Sequence, residues 1–300
     1  MKLISYADTQ PRVGIVVNDA VIDLSNDFDS MLTLIEGGQE ALAVAGERAR
    51  SDRPIARLHE IDLLAPIPTP RRNVFCVGWN YLRHFEEGVG RRENQEAELP
   101  EYPTFFTKPT TAVIGPGAPI PYDPDFSDRL DYEAEIAVIV GQAGRSIAPE
   151  NAERYIFGYT LANDVSARDI QRRHGGQWFK GKGMDGSCPL GPWILTVDEI
   201  ADPQNLRIQC RVNGVLKQDA TTRQMIFPIA SLIHELSFGM THLPGDIVLT
   251  GTPEGVGFAR TPPEYLRPGD EVVVTSPEIG QLHNTVAAQI LTREEGPHAA

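Results

Sequence analysis

The chain has 300 residues, of which 41% are hydrophobic and 23% charged, ordinary values for a globular protein of one large domain, or a large and a small one. Its 41 acidic and 27 basic side chains give a formal charge of -14. That excludes a nucleic-acid surface, which needs a basic face, but leaves room for a small anion beside a bound cation. Three cysteines, Cys76, Cys188 and Cys210, without a C-x-x-C spacing, make no disulfide framework and suit the cytoplasm. No signal peptide and no membrane-spanning run is visible, so no membrane partner is expected.

Residues 1–68 read as a small N-terminal α+β domain. Lys2–Tyr6 and Val13–Val17 form strands, and Asn18-Asp19 turns the chain into Ala20–Leu24. Residues 29–50 carry a helical pattern through Met31, Leu32, Ile35, Leu42 and Ala45. Pro66-Ile67-Pro68-Thr69-Pro70 is a stiff linker into a catalytic domain over 69–295. There Asn73–Gly78 is a strand and Tyr81–Glu87 a helix. The charged, glycine-punctuated residues 88–101 form a loop. Strands follow at Thr104–Thr107, Ala112–Ile114, Glu133–Val140, Gly158–Ala162, Trp193–Thr196, Leu206–Val212, Asp246–Thr250 and Glu271–Thr275. Helices are expected near Ala167–Arg173 and Pro228–Phe238. The pattern predicts a mixed α/β, β-rich fold with a rolled sheet.

Five segments carry chemistry. Asp131-Tyr132-Glu133-Ala134-Glu135 runs straight into the apolar Ile136–Val140. Period two points Glu133 and Glu135 the same way. Two carboxylates at a buried edge repel each other and resist desolvation, and a hard cation such as Mg²⁺ relieves both problems. Asp164 ends another apolar strand and could complete a three-carboxylate site. Ser166 and Asp169 then resemble a capping box opening a helix. His84 and Glu87 are spaced to share a helix face, so the carboxylate could orient and charge an imidazole base. Trp178–Pro189 sets lysines among aromatics and glycines. Lys180 suits a solvated loop and Cys188 a packed thiol. Thr250–Gly257 is a glycine-rich turn fit to hold a carboxylate through its amides, without the phosphate-loop pattern.

In order along the chain, Cys76-Val77-Gly78-Trp79-Asn80-Tyr81, Asp131–Glu135, Asn163–Gln171, Lys182–Pro189 and Gly251–Gly257 resemble the fumarylacetoacetate hydrolase superfamily over residues 70–292. The resemblance implies a β-rich roll, a homodimer, and Mg²⁺ or Mn²⁺ held by Glu133, Glu135 and Asp164. It matches His84 and Glu87 to the water-activating pair of the C–C hydrolases, and Lys182 to the family's active-site lysine. Gln171 and Thr252 match residues that line the substrate site. Arg168 lies in the motif, with a structural role before a catalytic one. Trp79 departs from the arginine of several relatives and bears on substrate identity.

The leading expectation is therefore a metal-dependent hydrolase cleaving a C–C bond in a small anionic 2,4-dioxo acid such as an acylpyruvate. His84, oriented by Glu87, would activate water, and Lys182 would stabilise the enolate left behind. Residues 82–101 would close as a lid. The nearest rival is an isomerase or decarboxylase of 2-oxo acids of the oxaloacetate or 2-hydroxyhepta-2,4-dienedioate type, which needs the carboxylate cage and a proton shuttle but no attacking water. A rival of another class is a homologue that binds metal or ligand without turnover.

Overall fold

Apolar residues come in alternating or short continuous runs broken by glycine and proline, so strands dominate. The computed structural model describes residues 1–91 and 98–292. Among them an 11-stranded sheet has the order Ala56–Arg57, Ala20–Asp23, Arg12–Val17, Lys2–Tyr6, Cys188–Thr196, Ile156–Asn163, Ala134–Val140, Ile247–Leu249, Val74–Gly78 and Thr104–Lys108, with Val113–Ile114 branching from Cys188–Thr196. A 5-stranded sheet has the order Val215–Thr221, Arg207–Val212, Glu271–Ser276, Gly280–Ala288 and Ile120–Tyr122. The expected strand-rich α/β roll is present.

The strand Ala134–Val140 lies between Ile156–Asn163 and Ile247–Leu249, antiparallel to both. All its residues are buried, as an unbroken apolar run requires. Period two sorts its side chains. Ala134, Ile136, Val138 and Val140 share a core with Ile208, Val272 and Leu282 of the smaller sheet. Ala137 and Ile139 share another with Leu34, Ile35 and Ala41 of the N-terminal helices. Glu133 and Glu135 follow the parity of that second set. The register sets Ala134 opposite Asn163, which brings Asp164 across from Glu133.

The N-terminal hairpin extends the larger sheet through the pairing of Lys2 and Leu3 with Leu195 and Ile194. Its turn residues Asn18 and Asp19 take φ of 48° and 67°, the left-handed conformation those side chains tolerate. The one helix expected over 29–50 is two, Met31–Glu36 and Gly38–Ser51. They break where Gly38 takes φ of 54°, which no helix interior accommodates. Nor does the capping box form. Ser166 lies in a two-residue strand paired with Leu130–Asp131, and its hydroxyl donates to the Asp164 carbonyl at 3.0 Å. Asp169 instead accepts from Ser127 at 2.5 Å. No helix among the described residues is long and apolar enough to cross a membrane.

Candidate active site and metal centre

The strand register delivers three buried carboxylates to one point. Glu133, Glu135 and Asp164 are 4%, 1% and 0% exposed, and each offers an oxygen within 4.8 Å of the others. Backbone bonds fix the juxtaposition: Asp164 N donates to Glu133 O at 2.8 Å, and Glu133 N to Asn163 Oδ1 at 2.9 Å.

Three buried cations surround the carboxylates. Lys182 Nζ lies 2.7 Å from both Glu133 Oε2 and Asp164 Oδ2. Lys108 Nζ lies 2.7 Å from Asp164 Oδ1 and also donates to the carbonyls of Val165, at 3.1 Å, and Lys182. Arg168 bonds Asp131 Oδ2 at 2.9 Å, and its Nη2 sits 2.6 Å from Glu133 Oε1, close in distance but off the hydrogen-bond line. Asp131 also accepts the amides of Gly257 and Phe258 at 2.7 and 2.9 Å, so Asp131 links Arg168 to the end of the glycine-rich turn.

These pairings set the charge states. Burial alone would raise the Glu133 carboxyl, but Lys182 and Arg168 outweigh it and hold it at about 2. Burial would strip Lys182 of its proton, but Asp164 and Glu133 raise its pKa above the ordinary value. Glu135 fares differently. It accepts the Gly251 amide at 2.6 Å, yet burial and the charges of Asp164 and Glu133 push it well above the usual carboxylate range. A hard divalent cation among the three carboxylates removes that penalty, and an all-oxygen donor set suits Mg²⁺ and Mn²⁺. Four buried carboxylates (Asp131 with the three) face three buried cations, so a divalent ion would turn the local balance positive and favour an anionic ligand.

His84 and Glu87 sit on the short helix Leu82–Glu87. The three-residue spacing brings His84 Nδ1 to 2.7 Å from Glu87 Oε1, and Glu87 Oε2 accepts the Gly255 amide at 2.8 Å. The His84 ring lines the same cleft as Glu133 and Lys182, about 500 Å³ with its mouth. Trp79, Phe106, Trp178 and Phe258 wall that cleft. Trp79 packs edge-on against Trp178 and Phe85, with ring centroids 4.7 and 5.9 Å apart, and takes φ of 53°, strained for an aromatic residue. Next to it a Cβ at Gly78 would enter the Trp178 ring, so the wall requires glycine there.

The remaining expected residues also reach the cleft. Gln171 accepts from Arg168 Nη1 at 3.3 Å, and Thr252 is 3% exposed at its edge. Lys180 is exposed. Cys188 is buried and burial lifts its thiol to about 12, fitting a packed side chain. Residues 92–97 of the expected lid lie outside the described residues. The neighbouring Arg91 donates to Phe258 O, Arg260 O and Thr261 Oγ1 at 3.1, 2.6 and 2.7 Å. Sequence reasoning missed Lys108, whose signal is a lysine closing the aromatic strand Thr104–Lys108. It also missed Gln218, which carries no local signal.

Comparison with known proteins fits this geometry and corrects the expected reaction. The family model described as "Fumarylacetoacetate (FAA) hydrolase C-terminal" matches residues 73–287. The chain is 41% identical over 284 residues to a Rattus norvegicus protein named oxaloacetate tautomerase Fahd2a, mitochondrial, covering 92% of this chain and 88% of that one. It is 44% identical over 229 residues to the oxaloacetate tautomerase YisK of Bacillus subtilis, covering 76% and 74%. A solved maleylpyruvate hydrolase from Sphingobium sp. SYK-6, in complex with manganese(II) and pyruvate, superposes with a TM-score of 0.78 at 30% identity, covering 96% of this chain and all of that one. The expected C–C bond hydrolase of acylpyruvates therefore does not stand, because the curated relatives named here carry out an isomerisation. The physical reason is plain: a His–Glu pair that can activate water can equally move a proton, so the pair does not select hydrolysis.

Proposed function

The chain belongs to the fumarylacetoacetate hydrolase family, and on that premise we propose that it interconverts the keto and enol forms of a small 2-oxo dicarboxylic acid of the oxaloacetate type. The similarity to two oxaloacetate tautomerases carries this reading, and the cleft supplies the groups it needs. Glu133, Glu135 and Asp164 would hold Mg²⁺ or Mn²⁺, which when bound supplies Lewis-acid stabilisation of charge on the 2-oxo oxygen.

The protein's own groups do the rest. With its Nδ1–H donated to Glu87, His84 carries its lone pair on Nε2, the tautomer of a general base. It takes the proton from the carbon next to the 2-oxo group, and the proton is returned to the 2-oxo oxygen. A C–H bond breaks, an O–H bond forms, and no water is consumed. Lys182, kept charged by its carboxylate partners, lies where negative charge develops. Gln171 and Thr252 contact the substrate, and the walls of Trp79, Phe106 and Trp178 keep solvent from exchanging the moving proton. A cytoplasmic homodimer belongs to the same reading.

The test follows the ultraviolet absorbance of the oxaloacetate enol after injection into buffer, with Mn²⁺ and with EDTA, for wild type and His84→Ala. Metal-dependent acceleration that is lost in His84→Ala, without release of carbon dioxide, is the expected outcome. Wild-type, metal-loaded protein that leaves the uncatalysed rate unchanged would overturn the proposal.

A further inference from the structure

A buried side chain of the smaller sheet braces the backbone and Thr252 behind the cleft. Gln218, 1% exposed, stands on Val215–Thr221, where the pairing with Arg207–Val212 slips by one residue, so that Cys210 faces Gln218 but Arg211 faces Leu216. Beyond the slip the alternation is regular, so Gln218 and Ala220 are buried while Asp219 between them is exposed. Gln218 Oε1 accepts the amide of Ala134, the residue between Glu133 and Glu135, at 3.0 Å. Its Nε2 donates to Pro253 O and to Thr252 Oγ1, both at 2.8 Å. The amide orientation is not arbitrary, because a backbone N–H and a backbone carbonyl accept only one assignment of oxygen and nitrogen.

That assignment has a chemical consequence. A threonine hydroxyl has one proton to give. By donating to Thr252 Oγ1, Gln218 occupies a lone pair and turns the proton elsewhere. The nearby Thr250 hydroxyl gives its proton to Ile136 O at 2.8 Å. Thr252, by contrast, lines the cleft with His84, Glu133 and Lys182. We propose that Gln218 is a positioning residue: it fixes the Thr252 hydroxyl as a donor into the cleft, toward an oxygen of the bound 2-oxo acid. The identity of that oxygen rests on the reading above, but the direction of the hydroxyl does not.

Oxalate, a dianion shaped like the carboxylate and adjoining oxygen of an enolised 2-oxo acid, is the probe. Its affinity for Mn²⁺-loaded protein is measured by calorimetry, with Mn²⁺ affinity measured separately. Thr252→Val should weaken oxalate about ten- to a hundredfold, the worth of a hydrogen bond to a charged group, and leave Mn²⁺ binding unchanged. Thr252→Ser should bind as wild type. Gln218→Glu keeps the acceptor for Ala134 but captures the threonine proton, so it should lose about as much as Thr252→Val. In the double variant the loss should not grow. If Gln218→Glu does not fold, Gln218→Met replaces it, with a loss that must again vanish in the Thr252→Val background. Additive losses, or oxalate affinity within about twofold of wild type in Thr252→Val, would overturn the assignment. Oxalate binding needs no turnover. The predicted pattern without oxaloacetate tautomerisation keeps the role of Gln218 and sinks the reaction, and tautomerisation with additive losses does the reverse.

Discussion

Replacing Lys108 with methionine removes a cation that is 0% exposed from a carboxylate that is 0% exposed, 2.7 Å away. The volume is nearly kept, so the dominant effect is the loss of one of the two amines on the buried Asp164 carboxylate, which leaves Lys182 at 2.7 Å; breaking such a buried pair costs about 3–5 kcal/mol. Losing the bonds to the Val165 and Lys182 carbonyls puts the cost toward the upper end. Unfolding entropy is about 2.1 cal/mol/K per residue, or about 0.6 kcal/mol/K for this chain, so Tm should fall by about 5–8 °C in EDTA. Mn²⁺ at about a hundredfold over its Kd adds about 2.7 kcal/mol, or about 4 °C, to wild type. The variant should gain more, because the ion then faces an Asp164 that Lys108 no longer neutralises. Differential scanning calorimetry of both proteins, with EDTA and with Mn²⁺, reads both numbers. A drop below about 2 °C in EDTA, or equal metal-induced gains, would refute the claim that Lys108 balances the site.

Three further outcomes are expected. Glu135→Gln removes a ligand and a repelled charge together, so calorimetry should show Mn²⁺ affinity lower by on the order of a hundredfold or more, while Tm in EDTA holds or rises. Asp246 should govern acid stability. Burial favours its protonated form, but hydrogen bonds from His242 and Arg72 prevail and hold its pKa below 3.8. Its contribution is present above 3.8 and lost as pH falls through the lower folded value. Asp246→Asn should therefore cost about 1–2 kcal/mol near neutrality, discounted because Arg72 is partly exposed, and Tm against pH should converge with wild type in strong acid. Glu87→Gln should lower kcat for enol–keto conversion about a hundredfold or more and leave Mn²⁺ affinity unchanged; a loss in metal binding would move Glu87 out of the proton-transfer pair.

Much of the candidate site was legible in the sequence because its residues obey local rules. The alternation around Glu133 and Glu135 sits where a strand turns apolar, and His84 and Glu87 are spaced for one helix face. What could not be read depends on register and on contacts between sheets. Lys108 looks like a polar strand end until Thr104–Lys108 pairs with Val74–Gly78 and its amine reaches Asp164. Gln218 lies in a polar strand whose first residues are exposed, and only the packing of the two sheets shows that it faces inward with Ala220. The break at Gly38 interrupts an otherwise helical pattern because one positive φ outweighs the surrounding propensity. Choosing the reaction failed for a different reason: a His–Glu pair beside a carboxylate cluster suits proton transfer and water activation alike.

The placement of Ala134–Val140 between two hydrogen-bonded neighbours has a consequence for how such a site can change. Its carboxylates are bolted to the interior of a broad sheet, where a shift of one residue would turn them to the opposite face. The aromatic wall of Trp79, Phe106, Trp178 and Phe258 hangs from turns, a short helix and an edge strand, where substitutions disturb few backbone bonds. Selection, or a protein engineer, can therefore recut the rim while the carboxylate floor stays in place. Libraries confined to these four positions should yield altered substrate preference without loss of cation binding.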